Sequence, residues 1–473
     1  MTFMSFKNAR IVRSDWLQEG GRRLDCNPYM SGALEARDAL KQLKVRKDEL
    51  RTLTAGHAGG IYNGPQFKRN YVDSAEHGVP FVSSGSMLQA DLSTLPLLRR
   101  KDAESGRLSY LKLRHGMMLI SCSGTIGRMV YVRPEMDGLW SSQDVLKVVP
   151  NPEKIPSGYL YAFLSSRYGV PQVVSGTYGA IIPHIEAEHI ADLPVPRFEP
   201  EFEDEIHRLI EDAASLRSEA SKKLSAALTQ LEVAAGFATT NLPQVTELSY
   251  SNVYCSALND RFDAPYHSAP ALKAEAMLDS SPLGVAPLSS VVKRYFKPPI
   301  FKRLWVDSEE HGRLFVSGND IYRYQPEEPR YVSKRTPRFH EFVLDRGTVV
   351  FQAAGQIYGL FGRPLLVHGW LEGAFCADDV FRITPFTEVD GAFLYLFLRT
   401  KVGEALIKRQ ACGNSIPRVW EPHVSRLRVL WPNETVRESF AKPVIEAHEM
   451  IEQARQAELK AIKLLEQKIK GES

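Results

Sequence analysis

The sequence predicts an α+β fold of duplicated design: a mixed α/β domain followed by a long helix, then both repeated, with the two helices pairing as an antiparallel coiled coil. Three observations lead there. Residues 61–87, IYNGPQFKRNYVDSAEHGVPFVSSGSM, return at 295–321 as YFKPPIFKRLWVDSEEHGRLFVSGNDI, with FKR, VDS, EHG and FVS in register. The offset, 301 − 67 = 234, is about half of the 473-residue chain and marks a tandem repeat. Each copy closes on a long polar segment with apolar or small residues in steps of three and four, the spacing of a heptad seam. Ahead of each lie runs rich in β-branched residues that end at glycine, as strands do.

Taken in order, the correspondence covers nearly the whole chain. Arg23-Leu24-Asp25 answers to Arg261-Phe262-Asp263, GYLYAFL at 158–164 to AFLYLFL at 392–398, AIIPHI at 180–185 to NSIPRV at 414–419, and His189 to His423. The expected division is a first domain over 1–200, a helix over 201–236, a second domain over 237–433 and a second helix over 434–473. LRHGMMLISCSG at 113–124 and GTVVFQAAG at 347–355 read as strands. YLYAFLSSR and FLYLFLRT read as buried helices, followed by Gly169 and Gly403 and then by strand or loop. Leu193-Pro194-Val195-Pro196 and Leu430-Trp431-Pro432 punctuate the chain just before each long helix.

The first long helix starts with Glu201, Glu203, Asp204 and Glu205, which favour its N-terminus, and stops at Gly236. Its seam reads Phe202, Ile206, Leu209, Ala213, Leu216, Ala220. The second is expected to open near Pro443, suited to a first turn, and its seam reads Ala447, Met450, Ala454, Ala457, Ala461, Leu464. One such helix would ordinarily be a surface helix on its own domain; two at equivalent ends of two repeats point to packing on each other. Ile206, Leu209, Ala213 and Leu216 are the expected contacts on one side, Ala447, Met450, Ala454 and Ala461 on the other.

Composition narrows the class. The chain is 44% hydrophobic, enough for several cores, and holds no apolar run of 18 residues and no apolar signal core, so a cytoplasmic protein without membrane partners is expected. Five scattered cysteines, with no Cys-x-x-Cys pair, fit reduced thiols. A net charge of +3 is too mild to identify a partner by itself.

Ser123-Gly124-Thr125-Ile126-Gly127 after a strand, then Ile182-Pro183-His184-Ile185, then His189 through Pro196 opening into a long helix, resembles the specificity subunit of type I restriction-modification systems. The second copy keeps Ile416-Pro417 and His423 but has Ala354-Gly355-Gln356-Ile357-Tyr358 in place of the first element. Phe202-Glu203-Asp204-Glu205 and Val436-Arg437-Glu438-Ser439 stand where the family has Pro-Leu-x-Glu-Gln, as in a divergent, defence-associated branch. The resemblance implies two target recognition domains, each reading one half of a bipartite double-stranded DNA site. It also implies docking of adenine-specific methyltransferase subunits, two by the symmetry of the scaffold, with a motor-nuclease restriction subunit as a further partner. A scaffold that assembles such partners without reading DNA is the alternative.

The residues themselves show no catalytic centre. Asn27-Pro28-Tyr29 lacks the second proline and the glycine-rich turn of an adenine methyltransferase, and the repeat sets Ala264-Pro265-Tyr266 against it. Asp378-Asp379 answers to Gln143-Asp144, so only Asp144 and Asp379 recur, and no Glu-x-Lys completes a nuclease set. No metal motif and no phosphate loop occur; S-adenosylmethionine is expected on the partner, and His189 and His423 read as structural. Cations interleave with aromatics at Phe67-Lys68-Arg69-Asn70-Tyr71, Lys293-Arg294-Tyr295-Phe296-Lys297 and Phe301-Lys302-Arg303-Leu304-Trp305, a pattern for phosphate and sugar. Its bland counterpart is a solvated strand edge. Base readers belong where the halves differ and the side chain can pair with a base edge. They are Ser175, Thr177, Tyr178 and His184 in the first half, and Gln352, Gln356, Asn414, Ser415 and Arg418 in the second; Ser123 and Thr125 of the motif are expected to bind DNA as well.

Overall fold

The computed structural model describes residues 12–19, 27–175, 184–238, 242, 250–258, 261–326, 329–357, 359–413 and 415–471. Arg23-Leu24-Asp25, Cys26, Thr177, Tyr178, Ile182, Pro183, Tyr358 and Asn414 lie outside the described residues. Two compact units form, one from residues up to 218 together with 453 onward, the other from 219–452.

Among the described residues unit 1 carries ten short strands: β1 (Lys47–Glu49), β2 (Ile61–Tyr62), β3 (Tyr71–Val72), β4 (Gly78–Val82), β5 (Leu97–Arg99), β6 (Met118–Ser121), β7 (Met129–Tyr131), β8 (Trp140–Ser141), β9 (Val145–Val148) and β10 (Pro194–Pro196). They make a sheet of order β2-β9-β6-β7, a second of order β3-β5-β4-β8, and the ribbon β1-β10. Unit 2 repeats this with β11 (Val285–Pro287), β12 (Val292–Phe296), β13 (Trp305–Val306), β14 (Gly312–Val316), β15 (Tyr331–Ser333), β16 (Val349–Gln352), β17 (Leu365–Leu366), β18 (Phe375–Cys376), β19 (Val380–Pro385) and β20 (Arg428–Leu430). Its orders are β12-β19-β16-β17, β13-β15-β14-β18 and β11-β20. The parallel strand pairing recurs too, Phe81 beside Trp140 and Phe315 beside Phe375. The duplication read from the sequence therefore extends to sheet order and register.

Six helices matter for the site. In unit 1, α1 (Ser157–Leu164) is buried nearly all round and α2 (Val170–Ser175) follows it, before α3 (Pro200–Ala234). In unit 2 the equivalents are α4 (Glu388–Arg399), α5 (Lys401–Arg409) and α6 (Glu434–Lys470). The segment after each buried helix is thus another helix, against the expectation of strand or loop. Gly169 and Gly403 make this possible: a Cβ there would come within 2.2 Å of the Phe163 carbonyl oxygen and 2.3 Å of that of Phe397. Only glycine lets the second helix start so close to the end of the first.

The prolines before α3 are the strand β10 itself, with Pro196, Val195 and Pro194 opposite Lys47, Asp48 and Glu49. A two-stranded ribbon tolerates residues that donate no ladder bond. The helix α6 starts at Glu434, not near Pro443, which lies inside it. Asn433 caps it by accepting from the Val436 N–H at 3.0 Å; proline mid-helix forfeits one backbone bond that the surrounding packing offsets.

The two long helices pack on each other. In unit 1 Ile206, Ile210 and Ala214 share a core with Ala461, Leu465 and Ile469, and in unit 2 Ala227, Leu231 and Ala235 share one with Ala441 and Val444. Lys468 lies 3.3 Å from Glu199, and Arg217 2.5 Å from Glu458, so the pairing is antiparallel. Ile206, Ala213, Ala447, Ala454 and Ala461 are buried, as the spacing predicts. The alternate positions are shifted by one residue: Leu209, Leu216 and Met450 are half-buried, while Ile210, Arg217, Glu458 and Leu465 face inward. At Arg217 and Glu458 a buried ion pair takes the inward position, where hydrophobic spacing alone selects the apolar neighbour.

Candidate nucleic-acid interface

In each unit, two loops meet at the end of the first sheet. In unit 1 the turn after β6 holds the Ser-Gly-Thr-Ile-Gly motif, and Ser123 bridges to His184 while the Ile185 N–H donates to the Cys122 carbonyl at 3.1 Å. The turn is tight because Gly124 and Gly127 take φ of 77° and 84°, a region that costs other residues strain; a Cβ on Gly127 would also strike Val174 at 2.6 Å. The Ser121 hydroxyl closes it on the Thr125 carbonyl at 2.6 Å. In unit 2 the turn after β16 does the same: Ala354 bridges to Arg418, the Gly355 N–H donates to the Pro417 carbonyl at 3.2 Å, and Gln356 Nε2 to the Ser415 carbonyl at 3.3 Å. Thr125, Gln356, Ser415 and Arg418 are exposed there, and Ser123, His184 and Gln352 half-buried. Ser175 is different, since its hydroxyl donates to the Gln172 carbonyl within its own helix at 2.7 Å.

The cation–aromatic segments adjoin these loops. Phe67 and Tyr71 lie edge-on to the buried Phe81, 6.1 and 6.3 Å between centroids, and Arg69 sits 5.7 Å from its ring. In unit 2 Trp305 meets Phe315 edge-on at 5.2 Å, and Arg303 stands 5.7 Å from Phe301 and 5.5 Å from Phe315. Tyr71 and Trp305 are about half exposed, at 49% and 47%, which leaves an aromatic face free at equivalent strand starts. Lys68, Lys293, Arg294, Lys302 and Arg303 are exposed; Arg294 packs over Phe296 at 3.7 Å and reaches Glu341 at the same distance.

Beneath each loop pair runs a turn that sequence reasoning treated only as a carboxylate pair. Its backbone holds the loop after β6 or β16: the Cys122 N–H donates to the Asp144 carbonyl at 3.1 Å, and the Ala353 N–H to that of Asp379 at 2.8 Å. A fully buried cation pins the turn from below. Lys147 Nζ donates to the Ser142 and Val145 carbonyls at 2.8 Å each, and Arg382 to those of Val380, Cys376 and Ala377 at 2.5, 2.9 and 3.3 Å. Burial pulls the Lys147 ammonium down to about 7 and depresses the Arg382 guanidinium as well. The signal was present in the sequence: a cation at equivalent places inside two otherwise apolar strands, VLKV and VFRI.

The two recurring histidines differ in detail. His189 Nδ1 accepts from the Glu186 N–H at 2.9 Å, which completes a capping box on a one-turn helix. His423 sits in the equivalent turn, Glu421–Val424, with its imidazole depressed by burial. The free cysteines Cys122 and Cys376 are buried and desolvation pushes both thiols up to about 12, so they are inert packing groups. Among the described residues no group of acidic, histidine or cysteine side chains is placed to hold a metal ion, and no helix is long and apolar enough to cross a membrane.

No protein-family model matches the chain, and no curated protein matches it in sequence. Solved structures do. The S subunit of the type I restriction-modification system from M. genitalium is 13% identical over 90% of this chain and 95% of its own, with a TM-score of 0.35. The likeness is to type I specificity subunits. The HsdS subunit from Thermoanaerobacter tengcongensis is 12% identical over 90% and 97% of the two chains, TM-score 0.28. A chain from a study of complex assembly and conformational transition of the type I restriction-modification system is 12% identical over 90% and 96%, TM-score 0.27.

Proposed function

We propose that the chain is a DNA-reading specificity subunit of a type I restriction-modification or methylation-based defence complex, without chemistry of its own. One observation carries the reading. The same pair of loops is built twice on the same sheets, yet it presents Ser123, Thr125 and His184 in one unit and Gln356, Ser415 and Arg418 in the other. Like scaffolds with unlike polar side chains fit a site of two unlike halves, since hydrogen bonds to base edges carry sequence while the frame does not. The exposed cations and aromatics beside each loop pair fit phosphate and sugar.

Partners follow from the duplication. Two similar units offer two similar docking surfaces, which suits two copies of an adenine-specific methyltransferase that bring S-adenosylmethionine with them. Purifying the chain with the products of its neighbouring genes and sequencing methylated adenines tests this. The expected result is a motif of two short unlike sequences with a spacer of fixed length and free composition. A palindromic or continuous motif, or tight binding of S-adenosylmethionine by the chain alone in calorimetry, would contradict it.

A further inference from the structure

Arg69 and Arg303 hold the same place in the repeat, 303 − 69 = 234, and lie over equivalent rings, Phe81 and Phe315. Their charges are treated differently. Arg69 Nη2 donates to Asp144 Oδ2 at 2.8 Å, with both side chains about one-third exposed. Asp379 is the matching carboxylate in unit 2, since Asp144 and Asp379 each precede the residue that pairs with the last position of β6 or β16. No carboxylate among the described residues pairs with Arg303, whose contacts are the two rings.

Two further differences run the same way. Trp305 pairs with Val332 and Tyr71 with Leu98, so Arg330, which stands 5.1 Å from the Trp305 ring, answers to Pro96. Tyr295 and Ile61 are equivalent in their pairing to β19 and β9, so the exposed Lys293 and Arg294 answer to Gly59 and Gly60. Over residues 47–200 the sequence has 16 Lys and Arg against 15 Asp and Glu; over 285–433 it has 21 against 15. Part of the difference, +1 against +6, gathers at one ring: Arg303 and Arg330 stand 5.5 and 5.7 Å from Phe315.

We propose that unit 2 is the electrostatic anchor on duplex DNA: Arg303 and Arg330 take the phosphates, while in unit 1 Asp144 occupies Arg69 and holds it off them. The inference rests on the duplex-binding reading above and assigns its sequence-independent affinity to one half. A phosphate approaching unit 1 has to displace a carboxylate already hydrogen-bonded to the guanidinium. One approaching unit 2 meets arginines whose planes are already held against aromatic rings. Unit 1 then contributes recognition with little non-specific grip.

The salt dependence of binding by the full chain reads this directly, because each phosphate neutralised adds about 0.9 to the slope of log K against log salt. Anisotropy with a random-sequence duplex of about three helical turns is measured across potassium chloride for the unaltered chain and for R303Q, R69Q, D144N and D144N/R69Q. R303Q is expected to lower the slope by about one and R69Q to leave it unchanged. D144N is expected to raise the slope by about one and tighten binding at low salt, and adding R69Q to cancel that gain. Equal flattening by R69Q and R303Q, or a slope untouched by D144N, overturns the inference while leaving duplex binding in place. Absence of salt-dependent duplex binding by the unaltered chain overturns the proposed function itself.

Discussion

Replacing Glu458 by leucine is expected to loosen the helix pair in unit 1 far more than its single position suggests. Glu458 is 2% exposed; one carboxylate oxygen lies 2.5 Å from Arg217 and the other accepts the Tyr161 hydroxyl at 2.6 Å. Breaking a buried ion pair from one side costs about 3–5 kcal/mol, because the remaining charge stays in a medium that solvates it poorly. The Tyr161 hydroxyl, itself 2% exposed, loses this acceptor, which adds about 1–3 kcal/mol. The groups form one network, so the sum is less than additive and roughly 4–6 kcal/mol is expected. The double change R217L/E458L removes both charges and is expected to fall within about 2 kcal/mol of the unaltered chain, since apolar replacement of a whole pair is often neutral or stabilising. Amide hydrogen exchange over 206–217 and 458–469 is the assay, because a chain with two separate cores need not unfold in one step. A loss below about 1 kcal/mol in E458L, or a double variant worse than the single, would refute the reasoning.

Other outcomes follow from particular contacts. Burial pulls the His448 imidazole from 6.5 down to about 4 and lowers His368 beside it, so the unfolded chain binds more protons between those values and stability falls as pH drops through that window. For His448 alone unit 2 should be about 2 kcal/mol less stable at pH 5 than at pH 8; a flat profile in unfolding experiments, or one unchanged by H448Q, would exclude this. Changing Gly403 to alanine sets a Cβ 2.3 Å from the Phe397 carbonyl oxygen and should cost at least about 1–3 kcal/mol, read as a lower melting temperature. Changing Arg418 to alanine should relax one half of the recognised site by about 1–3 kcal/mol and leave the other unchanged, checked by sequencing methylated adenines or by selection of bound duplexes.

The duplication, the two long helices and the main strands were legible because each rests on a local pattern: a repeated string, a heptad step, an apolar run closed by glycine. The seam register was not. Leu216 and Met450 look like seam residues by hydrophobicity, and Arg217 and Glu458 like surface ones, until each is seen to face the other from 241 positions away in sequence. Pro443 drew the start of α6 nine residues too late, although Pro432-Asn433 carried a capping signal that outweighs it. At the candidate interface the FKR segments and both loop pairs could be picked from recurrence and divergence. Arg330 could not, because the other copy has Pro96 in its place, and neither could the neutralisation of Arg69, whose partner is 75 residues away.

Unit 1 takes its last structural pieces from residues 453 onward, while unit 2 is contiguous in the chain. Synthesis runs from the N-terminus, so Ile206, Ile210 and Ala214 leave the ribosome long before Ala461, Leu465 and Ile469 exist to cover them. The first-made half must wait with an apolar stripe bare, closing a loop of more than 200 residues before its core is complete. Unit 2 has everything it needs by residue 452. The order of completion is then the reverse of the order of synthesis, and a chain cut near 452 would carry a finished second half and an unfinished, aggregation-prone first.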